Sequence, residues 1–424
     1  MKKAAVLQWS FLVASLLLLP GCRRQPKLSF MVGGASNEIA YLEELIAEFE
    51  AKHEIQVKLI RQSSDTEQRK QSLLVSLRGR SKDPDVMLVD VAWMGQFASS
   101  DWLEPLDSYA ITTGPFFQNI IKMADTYSGK LIGVPLYVDA GLLYYRQDLL
   151  DKYGYQAPPR TWPELVRMAQ IVQAGERPAN PDFWGFVWQG AQYEGLICNA
   201  LEYFVSTGGG FMDQDGQFTI NNVNNVKALS LMNDLIHKNK ISPPNTFTEM
   251  KEEEARTMFQ NGNALFERNW PYAWSLHNAA DSAIKGRVRI AVLPHFIGFP
   301  PAATLGGWHV VVSRFSDCKP KAVAFLKYLT SYEIQKKLPL KLGWNPGRED
   351  VYLDQDLKTA APHLHRFKTV FIHAIPRPQV PYYSQLSQIM QKHFNAALAG
   401  KETPHEAIAK TDAEIKAVIA ENGY

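Results

Sequence analysis

Three acidic residues, Glu38, Asp90 and Asp139, stand just after short apolar runs that read as strands. A carboxylate offers two acceptor oxygens and can hold adjacent hydroxyls through charge-assisted hydrogen bonds worth roughly 1.5–3 kcal/mol each. Any one of them alone is more commonly a helix cap or a solvated side chain. Trp270, Tyr272 and Trp308 supply the complement, because a pyranose ring has an apolar C–H face that packs on an aromatic plane. Asn269 and Pro271 flank Trp270, and Gly306 and Gly307 precede Trp308, so both indoles read as loop-borne rather than core. Trp184 and Trp188, four apart in an apolar run, read as core.

Other chemistries lack their motifs. The chain has no Gly-x-Ser-x-Gly elbow, no Gly-x4-Gly-Lys-Ser/Thr loop, no Gly-x-Gly-x-x-Gly and no His-Glu-x-x-His. His363 and His365 have no further ligands in a recognisable spacing and read as a surface pair, so no metal and no cofactor is expected. The 424 residues carry 45 Lys+Arg against 43 Asp+Glu, and the two excess cations, Lys2 and Lys3, lie in the apolar leader. The remainder is neutral with interspersed charges, which argues against a nucleic-acid partner. Hydrophobic residues at 46% and charged residues at 21% exclude a disordered chain, and the length calls for two domains.

The leader itself is an address. Lys2 and Lys3 precede an apolar stretch over 11–19 and then Leu19-Pro20-Gly21-Cys22, the tripartite form of a secretory signal. Cysteine directly after a small residue resembles the lipobox of bacterial lipoproteins. That likeness implies cleavage after residue 21, a lipid on Cys22, a tether over 22–27 and an extracytoplasmic, membrane-anchored protein. Pro20 departs from the small residues usual at that position. Cys198 and Cys318 remain; they read as separate buried thiols, with pairing outside the cytoplasm left open.

The elements that must position the acidic and aromatic residues follow from periodicity. Residues 27–32 read as a strand, Ile39, Leu42, Ile46 and Phe49 as the inward stripe of a helix, and 55–60 as a second strand. A helix over 66–78 and a buried strand over 85–89 complete a βαβαβ unit, whose ligands collect outside the carboxyl ends of the strands. A second α/β region follows Gly133. It has helices over 161–173, 196–206, 223–240 and 250–261, and strands over 183–188, 264–266 and 288–293. The Pro- and Gly-rich loop over 295–307 is the strongest internal boundary. Beyond it come a strand over 308–312 and helices over 320–329, 384–399 and 404–421.

Six strings then carry a family likeness: residues 33–38, Asp83-Pro84-Asp85-Val86 with the following 90–93, 139–146, 266–274, Gly306-Gly307-Trp308 and 343–348. In the same order they resemble the trehalose/maltose-binding proteins of ABC importers, a branch of the family 1 extracellular solute-binding proteins. The likeness runs from about Leu28 to the C-terminus, with loops near 53–56 and 110–115 shortened. It implies an α/β, two-lobed periplasmic-binding-protein fold of type II: lobe I over 28–138 and 307–344, lobe II over 139–306 and 345–424, and a hinge near 138–140. Carried over by motif, Glu38, Arg69, Asp90 and Asp139 would bond sugar hydroxyls, with Thr66 a weaker candidate. Tyr137, Trp270, Tyr272 and Trp308 would form walls, Gly307 would allow close backbone approach, and Arg377 would close the site. Trp93, Trp274 and Trp344 would support them.

The implied partners are a disaccharide, trehalose or maltose, and an ABC permease that receives it from a monomeric, non-catalytic receptor. Another oligosaccharide as cargo, or a glycoside hydrolase using paired carboxylates, are the alternatives. On this reading Trp270→Ala and Asp90→Ala abolish binding and leave the thermal transition nearly unchanged.

Overall fold

The computed structural model describes residues 27–213 and 216–421. The leader, Cys22 and all of the tether except Lys27 lie outside the described residues. The chain opens with β1 (Leu28–Val32), α1 (Ser36–His53), β2 (Val57–Arg61), α2 (Thr66–Arg78) and β3 (Val86–Asp90). β1 pairs in parallel with both β2 and β3, the arrangement the apolar runs dictate. Asp65 caps α2, its side chain accepting from the Gln68 amide at 3.0 Å. This fixes the helix start and leaves Thr66 and Arg69 on its first turn.

Two strands not foreseen in the sequence come next: β4 (Val134–Ala140) and β5 (Leu142–Arg146). Every residue of both is buried, so neither shows the alternation that marks a half-exposed strand, and Pro135 hides the first. Asp139 therefore lies inside β4, not in a loop after it. The second region then supplies α3 (Trp162–Glu176), β6 (Trp184–Val187), α4 (Glu194–Val205), α5 (Val223–His237), α6 (Glu252–Gln260), β7 (Ala264–Asn269) and β8 (Val288–Ala291).

β9 runs from Ala303 to Val312, five residues longer at its start than expected, so Gly306 and Gly307 sit within a strand and the Pro- and Gly-rich loop ends before it. After it come α7 (Lys319–Leu329), the short strand β10 (Ala374–Ile375), α8 (Tyr383–Leu398) and α9 (Pro404–Glu421). Among the described residues no helix is long and apolar enough to cross a membrane.

Two main sheets result. One has the order β10-β9-β3-β1-β2, with β4 also pairing β9; the other has β8-β5-β7-β6. β9 lies antiparallel to both β3 and β4, and Trp308 faces Asp90 on one side and Tyr137 on the other. At this crowded place Gly307 takes φ 126°, and a Cβ would meet the Tyr137 carbonyl oxygen at 2.6 Å. Only glycine permits both.

The chain passes from the first sheet to the second at Gly141, between β4 and β5. A Cβ there would lie 2.0 Å from Glu202 Oε1 and 2.4 Å from Arg268 Nη2. Those two side chains, each 1% exposed, form a two-pronged ion pair at 2.9 and 2.5 Å. Glu202 Oε1 also accepts from the Thr304 amide of β9 at 3.0 Å. One buried pair thus fixes the crossing at Gly141 and the start of β9, where the chain returns from the second sheet to the first.

Gly141→Ala is expected to destabilise the protein by about 2–3 kcal/mol, since the new methyl must displace a buried ion pair. Urea unfolding monitored by circular dichroism checks this; an unchanged midpoint would contradict the close packing described.

A candidate binding cavity between the sheets

A cavity of about 560 Å³ is lined from both regions. Its lining includes all eleven residues singled out above: Glu38, Thr66, Arg69, Asp90, Tyr137, Asp139, Trp270, Tyr272, Gly307, Trp308 and Arg377. Their local settings differ, and the differences decide what each can do.

Glu38, in the first turn of α1, accepts from the Trp344 indole N–H at 2.7 Å and from the Ala35 amide at 2.7 Å. Burial raises its pKa, and those two donors with the Arg69 charge work against the rise. Asp90 ends β3; its Oδ1 accepts from the Ala92 amide at 2.8 Å and from Arg377 Nη2 at 3.1 Å. Arg377 is 3% exposed and also donates to Glu194 at 2.9 Å. The pair changes the expectation for Asp90→Ala: its loss would leave a buried guanidinium short of a partner, so stability must fall along with any binding. Arg377 is held mainly by protein groups, and only its Nε is buried without an acceptor.

Asp139 is different. Its Oδ1 is buried with no hydrogen-bond partner. Burial pushes the carboxyl up to about 7; the Glu38 and Asp90 carboxylates add to the rise, and neighbouring Asn345 and Arg268 oppose it. Arg69 is the donor counterpart, 4% exposed with Nε and Nη2 lacking acceptors. Burial lowers its pKa to about 10.

Three of the four aromatic walls, Trp308, Trp270 and Tyr137, are backed on one face. The Arg69 guanidinium lies 3.3 Å from the Trp308 ring centroid, and Trp93 meets that indole edge-on at 5.4 Å. Arg268 lies 4.1 Å from the Trp270 centroid, and Tyr137 stacks on Trp344 at 4.1 Å. A Cβ at Gly306 would come within 2.9 Å of Trp270 Cζ3, so that glycine makes room for the indole. Backing by charge and ring limits a ligand to one face of each of these three. Of the other indoles, Trp188 is buried as expected and Trp274 stacks on His363, which is half-buried where a surface position was expected.

Sequence reasoning missed the first turn of α6. Lys251, Glu252 and Glu253 line the cavity, where Glu252 accepts from Trp270 Nε1 at 3.3 Å and Glu253 from the Tyr272 hydroxyl at 2.5 Å. The run of charges at 251–254 looks like any solvated helix start, and only the fold turns it inward. Tyr193 and Glu194, at the start of α4, were missed for the same reason. Cys198 and Cys318 are separate thiols, the first buried.

A sequence model of the bacterial extracellular solute-binding proteins matches residues 34–336. A probable ABC transporter-binding protein of Deinococcus radiodurans is 38% identical over 363 residues, 85% of this chain and 86% of the relative. Among solved structures, the maltose-bound MalE3 protein of T. maritima superposes with a TM-score of 0.87 at 42% identity, over 92% of this chain and 99% of the other. An ABC transporter solute-binding protein of Thermotoga lettingae bound with α-D-tagatose gives 0.83 at 27% identity, over 92% and 99%.

The raised Asp139 carboxyl has a stability consequence. Its folded pKa exceeds its unfolded value of about 4, so the stability it lends is present below pH 4 and is lost as pH rises to 7. Asp139→Asn removes that loss. In ligand-free protein the variant should melt above the wild type, with the gap opening between pH 4 and 7 and constant above; scanning fluorimetry across pH 4–8 checks it, and a pH-independent gap would contradict it.

Proposed function

The chain belongs to the bacterial extracellular solute-binding proteins of ABC transporter type, and from that membership we propose that it captures a disaccharide, trehalose or maltose, and hands it to an ABC permease. The observation that carries the proposal is the pairing of two orphaned groups in one cavity. Arg69 Nε and Nη2 offer donors, Asp139 Oδ1 offers an acceptor, and these atoms are buried without a hydrogen-bond partner in a cavity walled by aromatic rings. A hydroxyl can donate and accept at once, so a polyol satisfies both groups where a purely apolar ligand would leave them stranded. The lining holds nine carboxylates against three cations, which disfavours an anion. The volume falls within the roughly 300–1,000 Å³ usual for small-molecule sites. Maltose in the T. maritima relative supports a disaccharide.

In this reading residues 28–138 with 307–344 form lobe I and 139–306 with 345–424 form lobe II. The sugar binds one lobe first, the crossings near Gly141 and β9 rotate, and the second lobe completes the contacts; because the ligand touches both, it favours the closed form. Glu38 and Asp90 take hydroxyls with oxygens already oriented by Trp344, Ala35, Ala92 and Arg377. Trp270, Tyr272, Trp308 and Tyr137 shape the walls, Thr66 and Gly307 line the approach, and Arg377 fixes Asp90. A lipid on Cys22 holds this monomer at the outer face of a membrane. No bond is made or broken.

Calorimetric titration with trehalose, maltose, sucrose and glucose is the test. Saturable heat at one site is expected from trehalose or maltose, and no heat from any of the four would contradict the assignment. Trp270→Ala should weaken binding at least about thirty-fold, ~2 kcal/mol, with the melting temperature within a few degrees of wild type. Prolonged incubation should leave both disaccharides intact; released glucose would favour a hydrolase.

A further inference from the structure

The first turn of α6 does more than line the cavity. Lys251 Nζ lies 2.7 Å from Asp65 Oδ2, and the two side chains are 40% and 27% exposed, which places the pair at the cavity rim. Asp65 caps α2, the helix that presents Thr66 and Arg69, and α2 connects β2 to β3 of the first sheet. Lys251 begins α6, which leads into β7 of the second sheet. The pair therefore joins the two regions directly over the ligand space.

A second ion pair joining the regions near the cavity, Arg377 with Asp90, lies deeper, with side chains 3% and 13% exposed. The rim pair is also coupled to the walls: Glu252 and Glu253, the next two residues, hold Trp270 and Tyr272. Burial alone would weaken both charges, yet Lys251 is held above the ordinary lysine range by Asp65, and Asp65 below the ordinary carboxylate range by Lys251 and the Gln68 amide.

We propose that Lys251 and Asp65 form a latch across the cavity mouth that sets how long a bound sugar stays, a role distinct from recognising it. The inference rests on the sugar-receptor reading above for its ligand, but not for its geometry. Closing the rim brings the charges together, in the ligand-free protein as in the loaded one; opening must separate them before a sugar leaves. Loss of the latch therefore speeds release and leaves association nearly unchanged. A partly exposed pair limits the effect to a few-fold.

Lys251→Met keeps the aliphatic stem and removes the charge, and Asp65→Asn removes the charge and keeps a good helix cap. Maltose release from the full-length protein is followed by stopped-flow tryptophan fluorescence. Each single variant should release maltose about two- to five-fold faster with an association rate within two-fold of wild type, and the double variant should be no faster than the singles. Release rates equal to wild type, or single effects that multiply in the double variant, would overturn the latch. A second arm needs no sugar: small-angle X-ray scattering of the ligand-free proteins should give Lys251→Met a larger radius of gyration than wild type. Identical scattering overturns the latch even if maltose does not bind, whereas absence of maltose binding alone counts against the receptor reading.

Discussion

The buried ion pair between Arg268 and Glu202 is the joint on which the rest of the structure depends. Both side chains are 1% exposed, and each serves a second purpose. Glu202 takes the Thr304 amide at the start of β9, and Arg268 backs the Trp270 indole. Gly141, where the chain crosses between sheets, exists as glycine because this pair fills the space a side chain would need. A buried pair of this kind contributes little net stability, but losing one member is expensive. Its value here is positional: it sets two crossings and one wall of the cavity relative to each other.

That joint holds open a cavity with an unusual balance. Folding has left two nitrogens of the Arg69 guanidinium and one oxygen of Asp139 buried without a hydrogen-bond partner, which costs free energy in the empty protein. The neighbouring charges are handled otherwise, Asp90 and Glu194 by Arg377 and Glu38 by Trp344 and the backbone. Arg69 and Asp139, with the unfilled Nε of Arg377 in the same lining, define what a ligand must bring. A hydroxylated, uncharged molecule with an apolar face meets both the polar and the aromatic requirement. Cooperation between the rim and the walls follows from sequence adjacency, since Lys251, Glu252 and Glu253 reach α2, Trp270 and Tyr272 in turn.

Much of this was legible in the residues. The apolar stripes gave α1 and the parallel arrangement of β1, β2 and β3, and α2 begins and ends where its cap and pattern say. The family likeness nominated eleven residues that the fold brings around one cavity. What stayed hidden has physical causes. β4 and β5 are buried along their whole length and so carry no period, and two glycines inside β9 imitate a loop while serving close contacts with Tyr137 and Trp270. Charges at 251–254 have no local mark that separates a cavity wall from a solvated helix start. The partners of Asp90 and Arg377 are far apart in sequence, and for that reason the structural part of Asp90's role could not be read from its neighbours.

The central claim is that a sugar hydroxyl completes the coordination that the fold withholds from Arg69 and Asp139. A crystal structure of the protein grown with maltose tests it most directly. The account predicts the disaccharide in the cavity, with ligand oxygens within about 3.2 Å of Asp139 Oδ1 and of an Arg69 guanidinium nitrogen. A sugar bound away from both groups, or an empty cavity at saturating maltose in which Arg69 and Asp139 find protein partners instead, would contradict it.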